Sequence, residues 1–326
     1  MLCRVADDLY WMSRYVERAI GVSRLIDVTR HLELDAGDVD FWTPLVPEGV
    51  EVTGEIRFWL TSDETNPNSL VTCVRNARAL ARGVRESISS EMWEELNQLH
   101  VSLTRPTSTR QVRGDTGGFH RLVRERLQHF QGLADATLAH DEQWHFIELG
   151  MYLERAHGIA MLLRRQGHLL TKIEGSDTDL VKWLAVLRSA GCAEAYARFY
   201  ALRIEPARIV EFLLLNATFP QSVRFALTRA SESLAAISAL REAAGNDPGP
   251  APRTLGRVRS LVEHSAVDEI FESGFEEFLS TVQSSIAAVS DEVTNTYLRD
   301  QPQAGRLVGV ARAAMLMAAQ QQQQDQ

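Results

Sequence analysis

Five residues near the start of the chain, Tyr15-Val16-Glu17-Arg18-Ala19, return almost unchanged as Tyr152-Leu153-Glu154-Arg155-Ala156, at an offset of 154 − 17 = 137 residues. Both stretches have helical periodicity. Around the first, Leu9, Met12, Val16, Ala19 and Ile26 recur at spacings of three, four and seven, and Arg14, Glu17, Arg18 and Gly21 fall on another face. A polar motif repeated at so long a spacing constrains the chain to two comparable helical units and excludes a solenoid of short repeats.

The echo runs further. Leu25-Ile26 matches Leu162-Leu163 at the same offset, and Trp42-Thr-Pro-Leu45 resembles Trp183-Leu-Ala-Val186. Trp59-Leu60-x-x-Asp63-x-x-x-Pro67-x-Ser69-Leu70 matches Phe212-Leu213-x-x-Asn216-x-x-x-Pro220-x-Ser222-Val223, now at an offset of 220 − 67 = 153. Three motif groups in one order point to an internal duplication, with a first helical repeat within 1–110 and a second within 119–245. The repeats are expected to pack about a pseudo-two-fold axis, since each must bury an apolar face.

A C-terminal helix is expected over 253–300, with a break at Gly274, and a disordered Gln-rich tail over 317–326. Asn66 reads as a helix cap with Pro67 in the first helical position, and Pro220 as the opening of the matching helix. Residues 104–118 read as an exposed loop. No stretch alternates with period two, so the expected fold is all-α, a helical bundle.

The net charge of −9 argues against nucleic acid as a partner, because no global positive field would draw in a polyanion. Only Lys172 and Lys182 are lysines, so 34 − 2 = 32 basic residues are Arg and no single Arg is informative alone. Cys3, Cys73 and Cys192 are isolated, which suits free thiols in a reducing, cytoplasmic setting. No secretory leader is visible, and no apolar run approaches the roughly 20 residues that span a bilayer.

The candidate polar site is Tyr15, Glu17, Arg18, Tyr152, Glu154 and Arg155. Arg can grip a carboxylate through two parallel hydrogen bonds and Glu can receive an ammonium, so the repeated groups could hold an amino acid or peptide. The competing reading, which the spacing favours, is a structural interlock. Neighbouring helical residues point about 100° apart, so Glu17 pairs more naturally across the copies than with Arg18.

Arg75, Arg78, Arg82 and Arg85 form a second candidate, a stripe for anions, set against a plain solvated face that the second repeat does not reproduce. Glu142-x-x-His145 and Glu154-x-x-His157 match a di-metal pattern but lie 12 residues apart on one helix, about 18 Å at 1.5 Å per residue, too far to share a metal pair. No metal site or cofactor is expected. Nucleophile elbows and phosphate loops are absent, and Ser69 and Ser222 read as groups that tie off helix N–H donors.

The same stretches resemble the bacterial alpha-E domain family. The resemblance rests on Leu9-Tyr-Trp-Met-Ser-Arg14-Tyr-Val-Glu-Arg-Ala19, Asn66-Pro67-Asn68-Ser69, Ala77-Arg78 through Val84-Arg85-Glu86, and Trp93-Glu94-Glu95-Leu96-Asn97. It also rests on Tyr152-Leu153-Glu154-Arg155-Ala156 and Phe219-Pro220-Gln221-Ser222-Val223-Arg224. Met151, Leu80 and Gln221 depart from the family pattern, each removing a polar group expected there. The resemblance implies an all-helical fold and a partnership with a circularly permuted ATP-grasp protein, with a transglutaminase-like protein as a further partner, in amide or peptide bond chemistry. It brings no settled reaction. The leading expectation is a helper or substrate-binding module for an ATP-grasp-type ligase. A stand-alone enzyme built on the paired Glu/Arg groups and a purely structural partner-binding bundle remain as alternatives.

Overall fold

The computed structural model describes residues 1–36, 40–47, 49–104, 117–166, 177–201 and 203–299. Helix α1 spans Cys3–Ala36. A 3-10 turn at Thr43–Leu45 and the short α2, Ile56–Thr61, lead to α3, Leu70–Gly83, and α4, Ser90–Leu103. Two long helices follow, α5 at Gly117–Thr137 and α6 at Glu142–Gln166. Then come α7 at Asp177–Ser189, α8 at Ala193–Tyr200, α9 at Pro206–Leu215 and α10 at Val223–Ala243. The chain closes with α11 at Ala251–Glu263, α12 at Val267–Ser273, α13 at Phe275–Val293 and a π turn at Thr294–Leu298. Among the described residues there is no strand, as expected, and no helix long and apolar enough to cross a membrane. The expected Gln-rich tail and most of the 104–118 loop lie outside the described residues.

The bundle is built on α1 and α6, the two helices that carry the repeated motif, packed directly on each other. Helix α3 lies along α1 and α10 along α6; α5 adds to the α1 side and α13 to the α6 side. Leu9, Met12, Val16, Ala19 and Ile26 are at most 1% exposed, so the apolar face read from the sequence is a core face. Arg14 and Glu17 on the other face are buried too. Helix α1 is therefore a central helix enclosed on several sides, not an amphipathic surface helix. One hydrophobic core runs from α1 and α3 through α6, α9 and α10 to α13. A small satellite of Ile26, Leu45 and Leu60, with half-buried Trp42 and Trp59, anchors the segment after α1.

The loops entering α3 and α10 are built alike. Asp63 Oδ1 accepts from the Thr65 backbone N–H at 2.8 Å and its hydroxyl at 2.7 Å. Asn216 Oδ1 accepts from the Thr218 N–H and hydroxyl at 2.8 and 3.1 Å. Ser69 then caps α3 by accepting from Thr72 N–H, and Ser222 caps α10 by accepting from Phe225 N–H. The serines thus tie off free helix donors, as read from their place after proline.

The start points need correction. Asn66 is not the cap and Pro67 is not the first helical residue, because α3 begins at Leu70. Asn66 folds a turn instead: its Oδ1 accepts from Asn68 N–H, and its Nδ2 donates to the Trp59 carbonyl. Likewise α10 begins at Val223, not Pro220. The helix expected from residue 253 does break at Gly274, whose φ of +111° no ordinary helical residue adopts, but a second break at 264–266, not expected, divides it into three helices.

Helices α1 and α6 approach closely at Ser13 and Gly150, residues related by the motif offset, 150 − 13 = 137. A Cβ on Gly150 would overlap both Ser13 Oγ and the Tyr10 carbonyl oxygen. The carbonyl belongs to helix backbone and cannot rotate away. Gly150→Ala is therefore expected to destabilise the protein by about 2 kcal/mol, although alanine is the better helix former by about 1 kcal/mol. A chemical denaturation midpoint equal to or above that of the wild type would refute this close crossing.

Candidate functional site

The crossing of α1 and α6 is locked by two reciprocal ion pairs. Arg155 grips Glu17 through two hydrogen bonds, Nε to Oε1 at 2.7 Å and NH2 to Oε2 at 3.0 Å. Arg18 grips Glu154 in the same manner, Nε to Oε1 at 2.6 Å and NH2 to Oε2 at 3.0 Å. Each carboxylate is thus held by the arginine of the other motif, and neither by its own neighbour. Adjacent helical residues diverge, whereas residues on facing helices converge. The remaining guanidinium nitrogen of each arginine, NH1, reaches the loop before the capped helix: Arg18 donates to Asn68 Oδ1 at 2.8 Å, and Arg155 to the Pro220 carbonyl at 3.4 Å. Tyr15 and Tyr152 flank the site, with the Arg18 guanidinium 5.5 Å from one ring and that of Arg155 4.9 Å from the other.

The two pairs are not equivalent in their third partner. Glu154 also accepts from Arg14 Nε at 2.8 Å, and Arg14 in turn donates to Tyr10 Oη and Ser290 Oγ. Met151 occupies the position matching Arg14, 151 − 14 = 137, so Glu17 has no such arginine. Gln131 from α5 takes its place, donating to Glu17 Oε2 at 2.6 Å. Sequence reasoning missed Gln131 and Ser290, which carry no motif and come from distant parts of the chain, and Tyr10, which stands one helical turn before Arg14.

Burial acts to raise both carboxyl pKa values, but the guanidinium charges and hydrogen bonds outweigh it. Glu17 is lowered and Glu154 falls to about 2. Despite burial, Arg18 and Arg155 are raised by their paired glutamates, and Arg14 by Tyr10 and Glu154. Cys73, beside this cluster, has its thiol pushed up to about 12 by burial, and Cys192 behaves alike. All three cysteines are free.

Above the interlock lies a cleft of about 910 Å³. One wall is the face of α1 bearing Arg18, Gly21 and Leu25, and the facing wall is the face of α6 bearing His157, Gly158 and Leu162. Trp59 and the Pro44–Pro47 segment form an apolar side. Six arginines line it, Arg14, Arg18, Arg24, Arg155, Arg164 and Arg165, against three acids, Glu17, Glu154 and Glu276, an excess of 6 − 3 = 3 positive charges. His157 is pushed below its ordinary value by burial, with Arg14 and Arg18 adding to the effect against Glu154, and so is uncharged at neutral pH.

The arginine stripe is elsewhere. Arg75 faces Glu64 at 3.4 Å, while Arg78 donates twice to Asn97 Oδ1. Arg78 and Arg85 both lie over the Trp93 ring, at 5.3 and 4.9 Å. None of the stripe, Arg82 included, lines the cleft. No group of three metal-binding side chains gathers among the described residues, and both oxygens of Glu154 are taken by arginine.

A glutamate whose folded pKa lies below its ordinary 4.5 contributes its stabilisation in full above that value and loses it as the pH falls toward 2. Urea midpoints of the wild type should therefore drop between about pH 4.5 and 2, and the drop should flatten in Glu154→Gln. At pH 7 Glu154→Gln should cost about 3 kcal/mol, since it leaves buried guanidinium groups uncompensated. A variant as stable as the wild type at pH 7 would contradict the interlock.

Uncharacterized proteins of Mycobacterium bovis and of a Mycobacterium tuberculosis strain are each 24% identical over 90% of this chain, and that of a second M. tuberculosis strain is 23% identical. The chain spans 37% of the length of these curated relatives. No solved structure matches it significantly. A family model matches residues 1–298 and is described as a predicted alpha-helical domain with a conserved ER motif, and Glu-Arg is the dipeptide that crosses at the centre of this bundle. The chain belongs to the Alpha-E family.

Proposed function

We propose that the protein is a helper or substrate-binding module that acts with an amide- or peptide-bond ligase of the ATP-grasp type. The observation that carries this reading is the arginine-lined cleft over the Glu/Arg interlock. Its two glutamates are saturated by guanidinium groups and by Gln131, so they hold the cleft open and shaped and are not available for proton transfer. A cleft of this size, with one apolar side and converging charged groups, suits a small organic substrate. The mycobacterial relatives support a modular role, since in them the matching region is about a third of a longer chain. The ATP-grasp partnership itself comes from the family resemblance.

We read the chain as two copies of one helical unit. The twin loops entering α3 and α10, the reciprocal ion pairs and the meeting of Ser13 with Gly150 support that reading.

The purified chain should bind substrate but not hydrolyse ATP, having no phosphate-binding loop in its sequence. The test is affinity capture of the tagged full chain from its native cell, then an assay of ATP turnover and amide formation by the recovered complex. Amide formation that depends on both components is the expected result. ATP turnover by the isolated chain, surviving removal of contaminating ATPases, would overturn the helper reading, as would a recovered complex without ligase activity.

A further inference from the structure

Two glycines in the cleft have no structural reason to be glycine. Gly21 and Gly158 lie within α1 and α6, a position where glycine weakens a helix relative to alanine. A Cβ at either would meet nothing within 4 Å. They are related by the motif offset, 158 − 21 = 137, and both are exposed on the walls of the same cleft. Bare backbone on both walls of a cavity leaves room for something that is not protein.

The charge of the cavity says what kind of thing. Among the described residues no carboxylate lies within ion-pairing distance of Arg24, one helical turn beyond Gly21. Glu17, whose field reaches Arg24, is already held by Arg155 and Gln131. The Arg24 guanidinium rests against Gly191, where an added Cβ would stand 2.8 Å from Cζ and where φ is +68°. The corner between α7 and α8 is thus shaped to seat this side chain at the cleft. Burial, together with the positive charges of Arg124 and Arg155, leaves Arg24 less comfortable as a cation than an ordinary arginine. An arriving anion would relieve that.

We infer that the cleft is a receptor for a small organic oxyanion, a carboxylate or phosphate, which Arg24 grips while the rest of the ligand lies against the bare helix surfaces at Gly21 and Gly158. The inference rests on reading this cleft as the substrate site and names the chemistry of that substrate. A cation or a simple amine finds no free carboxylate there, whereas an oxyanion finds a planar fork of donors in an excess of positive charge.

The test is calorimetric titration of the full chain with inorganic phosphate, succinate and putrescine, at ionic strength fixed with sodium chloride. Saturable binding of phosphate or succinate, and none of putrescine, is expected; the tighter anion identifies the source of the oxyanion. Arg24→Gln should weaken that anion at least tenfold. Gly21→Ala and Gly158→Ala should weaken it too, yet melt at or above the wild-type temperature, which loss of fold would not produce. Failure of both anions to bind, equal binding of putrescine, or wild-type affinity in both alanine variants would overturn the inference. If the anion binds as described but Arg24→Gln leaves the ligase activity of the recovered complex unchanged, the helper reading fails and the receptor stands.

Discussion

Two carboxylates removed from water, each clasped by a guanidinium from the opposite helix, determine how this molecule is put together. Burial of an isolated carboxylate is costly, and only close, bidentate pairing offsets it. Glu17 and Glu154 can both be satisfied only if α1 and α6 cross at one point and in one register. The apolar surfaces of the two helices alone would permit many packings. The ion pairs select among them, and Gly150 lets the backbones come close enough for the pairs to form.

The surrounding elements serve this crossing. Helix α3 and the loop before it bring Asn68 to Arg18, and the loop before α10 brings the Pro220 carbonyl to Arg155. Helix α13, far along the chain, supplies Ser290 to Arg14. Helix α5 supplies Gln131 to Glu17. The polar centre thus collects contributions from across the described chain, and the cleft above it inherits a rigid floor. Rigid floors are what binding sites need, since ordering a ligand and its receptor together weakens association.

Much of this was legible in the sequence because it was written twice. The repeated Tyr-x-Glu-Arg-Ala marked the crossing helices, and the divergence of adjacent helical side chains showed that pairing would run between them. Helix starts were less legible. Proline seemed to open α3 and α10, but in both a serine two residues later caps the helix, and the segment carrying the proline forms a separate turn. The break at 264–266 involves no glycine or proline, so periodicity ran straight through it. The partners Gln131 and Ser290 lie on helices whose own periodicity says only that they are helices; their roles come from tertiary approach. Gly21 and Gly158 stand at the motif offset, but a glycine's meaning depends on whether space beside it is filled, and only the folded structure shows that space to be open.

The replacement of one arginine by Met151 has a consequence for direction. With arginine at both matching positions, the crossing would present nearly the same field to a ligand entering either way round. Here Glu154 is shared by two guanidinium groups and Glu17 by one and a neutral amide. The Glu17 end has a further cation in Arg24, whose field reaches Glu17 without an ion pair, so the extra charge is committed at the Glu154 end and uncommitted at the Glu17 end. The two repeated motifs thus make unlike ends of one floor, and direction is built into the crossing by a single side chain.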